Sequence, residues 1–300
     1  MIAEERYEEG LPAVLSRKLA DVSQLVKVRL SMLVVFSAVI AFVLASTEAF
    51  DWSRLLMLVI GGFLVTGGAN GFNQVIEKIP DSFMNRTRNR PLPAGRMTRT
   101  EVIVLCVIMS ISGILILGFF TTWLTALFGA LSLILYSFVY TPLKKKGPIA
   151  VYVGAIPGAM PPLLGWVAAT GEYGLLPGLL FAVQFVWQFP HFWAIAWVAH
   201  DDYSRAGYQL LPLNAGRTRG SAIFILVSTV LLLPVSLLPV YFGLGGPVTY
   251  AVTICMGLML LAQAMRLLRT CEDQDARKLM CESFIYLPVI QLVLMIDKII

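Results

Sequence analysis

Residues 55–96 read LLMLVIGGFLVTGGANGFNQVIEKIPDSFMNRTRNRPLPAGR, and the change of character partway along decides the fold. From Leu55 to Phe72 no side chain carries a charge. An apolar run of roughly 20 residues suits a bilayer hydrocarbon core. Asn73 to Arg96 then bring two carboxylates, five Lys or Arg side chains and three Asn. Asn73, Glu77 and Asp81 follow an i, i+4, i+8 spacing, which on a continuous helix forms one stripe. A carboxylate near the bilayer centre costs about 2.5–3.5 kcal/mol on the lenient insertion scale. Glu77 directly follows a long apolar run, so its placement calls for a function at the membrane edge.

The same pattern repeats along the chain. Hydrophobic residues make up 58% of the sequence, charged residues 14%, and the mean hydropathy is +0.78. Soluble domains carry about 45–50% apolar and about 25% charged residues. The expected fold is an all-α membrane protein, a bundle of nine transmembrane helices near 30–46, 55–76, 101–120, 123–140, 149–169, 175–199, 221–241, 247–268 and 282–297. Residues 1–29 read as a cytoplasmic or interfacial N-terminal segment and 30–300 as one transmembrane domain. The acidic start, without a basic region before a short apolar one, is not read as a cleaved signal. Residues 13–28 have the pattern of an amphipathic helix lying on the membrane.

Nine spans from a cytoplasmic N-terminus place every Lys and Arg except Arg54 and Lys298 on the inner side, as the positive-inside rule requires. The net charge of +5 therefore reports orientation and anionic headgroups, and no nucleic acid is needed to explain it. The cysteines at 106, 255, 271 and 281 lack metal-ligand spacing and read as free structural thiols.

A second acidic cluster, Asp201 and Asp202 in HFWAIAWVAHDDYSRAGYQLLP (191–212), falls at the same face by this topology. Two carboxylate clusters facing one cavity suit Mg²⁺, a hard cation that binds oxygen and bridges to phosphate. Arg86 and Arg90 are suited to bidentate binding of phosphate oxygens, and Lys144 and Lys145 add positive charge. Charge pattern alone leaves open a Mg-diphosphate enzyme or a transporter of phosphate or cations. Transporter sites, however, tend to lie near the midplane.

The Asn73–Glu77–Asp81 stripe followed by RTRNRPLPAGR resembles the first diphosphate motif of the UbiA superfamily of intramembrane prenyltransferases. YTPLKKKGPIAVYVGAIPGAMPPLLGWVAATG (140–171) and FPHFWAIAWVAHDDYSRAGYQLLP (189–212) resemble the heme-farnesylating branch of that superfamily. The resemblance runs from about Lys27 to the C-terminus. It departs at Ile79, where the family commonly has an Asp, and Pro80 tends to kink the turn before Asp81.

The resemblance implies a UbiA-type bundle that transfers a farnesyl group from farnesyl diphosphate to a vinyl group of heme b, the substrate, with addition of water. The alternative it leaves is an aromatic quinone precursor as acceptor. It also implies Mg²⁺ held by Asn73, Glu77, Asp81, Asp201 and Asp202, with Arg86, Arg90, Lys144 and Lys145 on the diphosphate. A prokaryotic plasma membrane, a cytoplasm-facing site and hand-off of product to a heme A-forming or oxidase-assembly partner complete the expectation.

The two histidines, His191 and His200, are nine residues apart and so fall on opposite faces of an ideal helix. His191 is the candidate for heme contact within the membrane. His200 is the weaker heme candidate and is placed to orient Asp201 instead. Trp187, Phe189, Phe192, Trp193 and Trp197 read mainly as lipid contacts and an interfacial aromatic belt, with a minority walling a cavity. Pro157, Pro161, Pro162 and nearby glycines read as bends and close helix approaches.

Overall fold

The computed structural model describes residues 11–46 and 50–299. Residues 1–10 of the expected N-terminal segment and residue 300 lie outside the described residues. Among the described residues there are nine helices long and apolar enough to cross a membrane, and no strand. In chain order these begin with α1 (Leu11–Leu25), α2 (Val28–Ala45), α3 (Trp52–Ile76), the short α4 (Lys78–Phe83) and α5 (Arg99–Phe120). They continue with α6 (Trp123–Ile134), the three-residue α7 (Thr141–Leu143), α8 (Ile149–Thr170) and α9 (Leu175–Val198). The last four are the short α10 (His200–Arg205), α11 (Arg219–Tyr241), α12 (Pro247–Thr270) and α13 (Asp273–Ile299).

Helix starts follow local chemistry. Thr98 and Glu101 form a reciprocal capping box at α5, while Asp51, Thr122 and Thr218 cap α3, α6 and α11. Such caps satisfy N–H groups that would otherwise be unpaired at a helix end. Between α6 and α7, residues Leu135–Tyr140 widen into a π-type turn. Turns of this kind re-aim side chains and occur often at functional sites.

The expected spans and the observed helices agree within a few residues except at the end of the chain. There α13 begins at Asp273 rather than near 282. Its first turns are charged, which hides them from an apolar window, yet Ala276 and Leu279 are buried in the core. The prolines at 157, 161 and 162 lie inside α8, and Gly165 lets α8 approach the backbone of Ala38 in α2 so closely that a Cβ would collide with its carbonyl.

The helices form a closed ring. α2 packs on α3 and α8, α3 on α5, α6 on α5 and α8, and α9 on α8, α11 and α13. α12 joins α11 to α13, and α13 returns to α2. This leaves an interior cavity walled by α2, α3, α6, α8, α9 and α13. The aromatic-belt expectation fails for Trp193 and Trp197, which are buried in the protein core beside Phe189. The Trp197 indole donates to Asp273 and locks α9 to the start of α13.

Candidate functional site

At one end of the bundle, the last turn of α3 breaks at Glu77 and resumes as α4. The backbone N–H of Glu77 still reaches the Asn73 carbonyl, and that of Asp81 reaches Glu77. Asn73, Glu77 and Asp81 therefore stay at one site despite Pro80, and all three are buried.

Glu77 is the hub. Lys144, brought in by the turn after α7, lies 2.9 Å from Oε1 and 3.1 Å from Oε2. Tyr208 donates to Oε1 at 3.1 Å, and the Asn73 amide donates to Oε2 at 2.8 Å and to Thr141 at 3.1 Å. Lys27 reaches the Asn73 amide oxygen at 3.3 Å from the junction of α1 and α2, where its own backbone takes a left-handed conformation (φ 49°). Burial alone pushes the Glu77 carboxyl up. The charge and hydrogen bond of Lys144, together with Asn73 and Lys27, outweigh it and hold the group below its usual value.

Asp81 is fully buried and accepts from Arg90 at 2.7 Å. Its other oxygen, Oδ1, is buried with no hydrogen-bond partner among the described residues. Burial raises its pKa, and Arg90 offsets this only in part. Burial, then the neighbouring Arg90 and Lys144, bring Lys27 down to about 7, and burial followed by the Glu77 charge raises the Tyr208 hydroxyl.

The second cluster behaves differently. Asp202 accepts from the backbone N–H groups of Asn85 and Arg86 at 3.3 and 3.2 Å, and from Arg205 at 3.1 Å. It thus fastens the loop that carries Arg86 and Arg90. Arg86 lies against Tyr203, with a hydrogen bond to its hydroxyl at 3.4 Å. The side chain of Asp201 is 69% exposed and pairs with Arg217, which is also held by Asp273. Lys145 is exposed.

The structure therefore gathers Asn73, Glu77, Asp81, Arg90 and Lys144, sets Asp202 at the loop beside them, and turns Asp201 away. Among the described residues, no three His, Cys, Asp or Glu side chains converge closely enough to hold a metal ion. The donor chemistry of the first cluster still fits Mg²⁺. It offers two buried carboxylates, an amide oxygen and one carboxylate oxygen without a partner. Lys27, Thr141 and Tyr208 were not singled out in the sequence. Tyr208 is 131 residues from Glu77, and no periodicity connects them.

The interior cavity, of about 290 Å³, adjoins this site. Asn70, one turn before Asn73, and Tyr140, whose ring lies 4.8 Å from the Lys144 ammonium, both line it. Deeper in, Gln184, Gln188 and His191 line an otherwise apolar wall. The amides are tied down: Gln188 donates to Ala155, Gln184 to Gly158, and Gln291 bridges Gln184 and Ser37. His191 lines the cavity; His200 does not, and lies against the loop at Gly216 with no hydrogen bond to Asp201 among the described residues.

A buried cluster of paired charges at the mouth of an apolar cavity inside a ring of membrane helices defines an intramembrane enzyme site for an amphiphile with a charged head. The chain belongs to the UbiA prenyltransferase family, which it matches over residues 34–287, and is an integral, multi-pass membrane protein. Its similarity reaches a particular branch. It is 45% identical over 276 residues to the protoheme IX farnesyltransferase of Cytophaga hutchinsonii, covering 92% of this chain and 96% of that protein. It is 43% identical over 285 residues to the protein of that name from Christiangramia forsetii, covering 93% and 94%. The fold is shared with a digeranylgeranylglyceryl phosphate synthase (TM-score 0.79, 18% identity, 94% of this chain and 99% of that one). It is shared as well with a UbiA homologue from Archaeoglobus fulgidus bound to DMAPP and Mg²⁺ (TM-score 0.60, 11% identity, 90% and 99%).

Proposed function

We propose that the chain transfers the farnesyl group of farnesyl diphosphate to a vinyl group of protoheme IX (heme b), with addition of water. One observation carries the reading of the donor end: the Glu77–Lys144 pair stands where the polar site meets the apolar cavity, through Tyr140. A diphosphate at that junction places its prenyl tail among apolar helices. The acceptor is supported by the full-length similarity to proteins named protoheme IX farnesyltransferase.

Lys144, Arg90 and Lys27 are the cations that turn to the diphosphate oxygens and offset the charge that grows as the allylic C–O bond breaks. The diphosphate leaves with the bonding electron pair. The vinyl π electrons form the new C–C bond, and water captures the resulting porphyrin-side cation and releases a proton. No side chain acts as a nucleophile. The apolar cavity excludes bulk water from the allylic cation until the acceptor is engaged.

Asn73, Glu77 and Asp81 would hold Mg²⁺, which supplies charge neutralisation to the leaving diphosphate. A fold neighbour bound to DMAPP and Mg²⁺ supports that use. Asp202, and through it the loop of Arg86 and Arg90, positions basic side chains over the site. The concentration of Lys and Arg at this end of the bundle supports a cytoplasm-facing site in a prokaryotic plasma membrane.

The test is purified protein in detergent with heme b, farnesyl diphosphate and Mg²⁺, followed by mass spectrometry of the extracted heme. A farnesylated, hydrated heme that disappears with EDTA is the expected result. Absence of that product, with a quinone precursor reacting in its place, overturns the acceptor assignment.

A further inference from the structure

Within the cavity wall, His191 is held by three neighbours in a way that packing alone does not require. Its Nδ1 lies 2.8 Å from the Ser283 hydroxyl of α13. That hydroxyl spends its own proton on the Met280 carbonyl at 2.7 Å, so it accepts from His191 and the hydrogen of the imidazole sits on Nδ1. The neutral ring then carries its lone pair on Nε2, which has no hydrogen-bond partner among the described residues.

The ring plane is fixed as well. Trp187 stacks on it at 4.5 Å and 16°, and Phe284 meets it edge-on at 4.4 Å. The Trp187 indole is itself anchored to the Ser283 carbonyl at 2.8 Å. Ser283 therefore holds both the imidazole and the ring stacked upon it.

We infer that His191 Nε2 is the ligand by which the cavity recognises the iron of the porphyrin acceptor, with Ser283 and Trp187 as positioning residues. The inference rests on the reading of the acceptor as heme. A neutral imidazole whose second nitrogen donates to a fixed hydroxyl is the arrangement protein metal sites use to orient a ligand and raise its basicity. Histidine is a common axial ligand of heme iron. Phe192 adds apolar wall beside the macrocycle, while Trp187, parallel to the imidazole at 16°, stands across the porphyrin plane and braces the ligand ring. The bond formed is a coordination bond from the Nε2 lone pair to iron, with no electron or proton transferred.

The probes are heme b and metal-free protoporphyrin IX, titrated into the intact protein in detergent and followed by visible absorption. The wild-type protein is expected to bind heme at least ~10-fold more tightly than the metal-free porphyrin, with the Soret band of a histidine-ligated iron. His191→Ala is expected to erase both the preference and the band while leaving affinity for metal-free porphyrin within about twofold, and added imidazole is expected to restore the band. Ser283→Ala keeps the band but shifts the ferrous iron–histidine stretching frequency, with heme affinity falling ~10-fold. Equal wild-type affinity for the two porphyrins overturns the inference without any variant, as does an unchanged heme spectrum in His191→Ala. An intact histidine-ligated band in a protein that makes no farnesylated heme upholds the ligation and rejects the transfer reading.

Discussion

The first acidic cluster and the second contain the same kind of side chain at the same end of the bundle, yet their surroundings differ in kind. Glu77 and Asp81 are buried and each is closed by a cation; one oxygen of Asp81 has no partner among the described residues. Asp202 is engaged by two backbone amides and the exposed Arg205, and the exposed Asp201 by the half-buried Arg217. Environment assigns the work. Buried, closely paired charges are costly to keep and costly to disturb, which is the condition of a binding site. An exposed pair contributes little to stability, with a median of about 0–1 kcal/mol.

The largest effect is expected at Glu77. Glu77→Ala leaves Lys144 half-buried without its anion and releases Tyr208 and Asn73 from the hub. Breaking a buried pair costs about 3–5 kcal/mol. We expect a clear fall in the thermal midpoint and loss of farnesyl transfer by ~10³-fold or more, in line with removal of preorganised charge. Glu77→Gln separates the two effects: its one carbonyl oxygen can still accept from Lys144 and Tyr208, at the expense of the Asn73 bond, so the fold is disturbed less while transfer is still lost. Activity within tenfold of wild type in both variants would erase the contrast between the clusters.

Arg90 comes next. Arg90→Leu strips Asp81 of the one cation that pairs with it among the described residues, and leaves the carboxyl buried without it. Steady-state assays should show transfer reduced ~10²–10³-fold, the range for removing one preorganised donor from a reacting charge. Arg88→Leu, on the same loop but exposed and outside these contacts, is the control and should stay near wild type.

How far these distinctions could be read from the sequence depends on range. The spans were legible because Lys and Arg are absent from the long apolar runs, and each run is its own evidence. The start of α13 was hidden, since Asp273, Asp275, Arg277 and Lys278 are helical but not apolar. The stripe Asn73–Glu77–Asp81 was legible because helical spacing is local. The Glu77–Tyr208 and Lys27–Asn73 contacts were not, since both join segments far apart in the chain. Helical rotation set His191 and His200 on opposite faces of one helix, but the chain breaks at Ala199, so they lie on α9 and α10, and one lines the cavity while the other faces a loop. Trp193 and Trp197 were misread because composition cannot say which face of a span meets lipid. The separate settings of Asp201 and Asp202 were equally invisible, adjacent residues of one type being indistinguishable until their partners are known.

Those two residues give the sharpest and smallest tests of the comparison. Asp202→Ala frees the Asn85–Arg86 backbone, so the basic loop loses its anchor. We expect KM for farnesyl diphosphate to rise ~10-fold or more, as for loss of a positioning partner, with the Mg²⁺ concentration for half-maximal rate unchanged. A shift in that Mg²⁺ requirement would instead make Asp202 a metal ligand and join the two clusters into one site.

Asp201→Ala should do least. Its partner Arg217, on the loop before α11, keeps Asp273 at 3.2 Å and the Trp197 carbonyl at 3.0 Å, so the contact of that loop with α9 and α13 survives. Loss of one exposed pair is worth about 0–1 kcal/mol, and transfer measured by mass spectrometry should stay within about twofold of wild type. The adjacent pair thus becomes an internal control. If Asp201→Ala proved as damaging as Asp202→Ala, the second segment would act through its charge as a whole and the clasp would be the wrong account of it. If only Asp202 matters, the role belongs to two backbone hydrogen bonds and not to a cluster of acids.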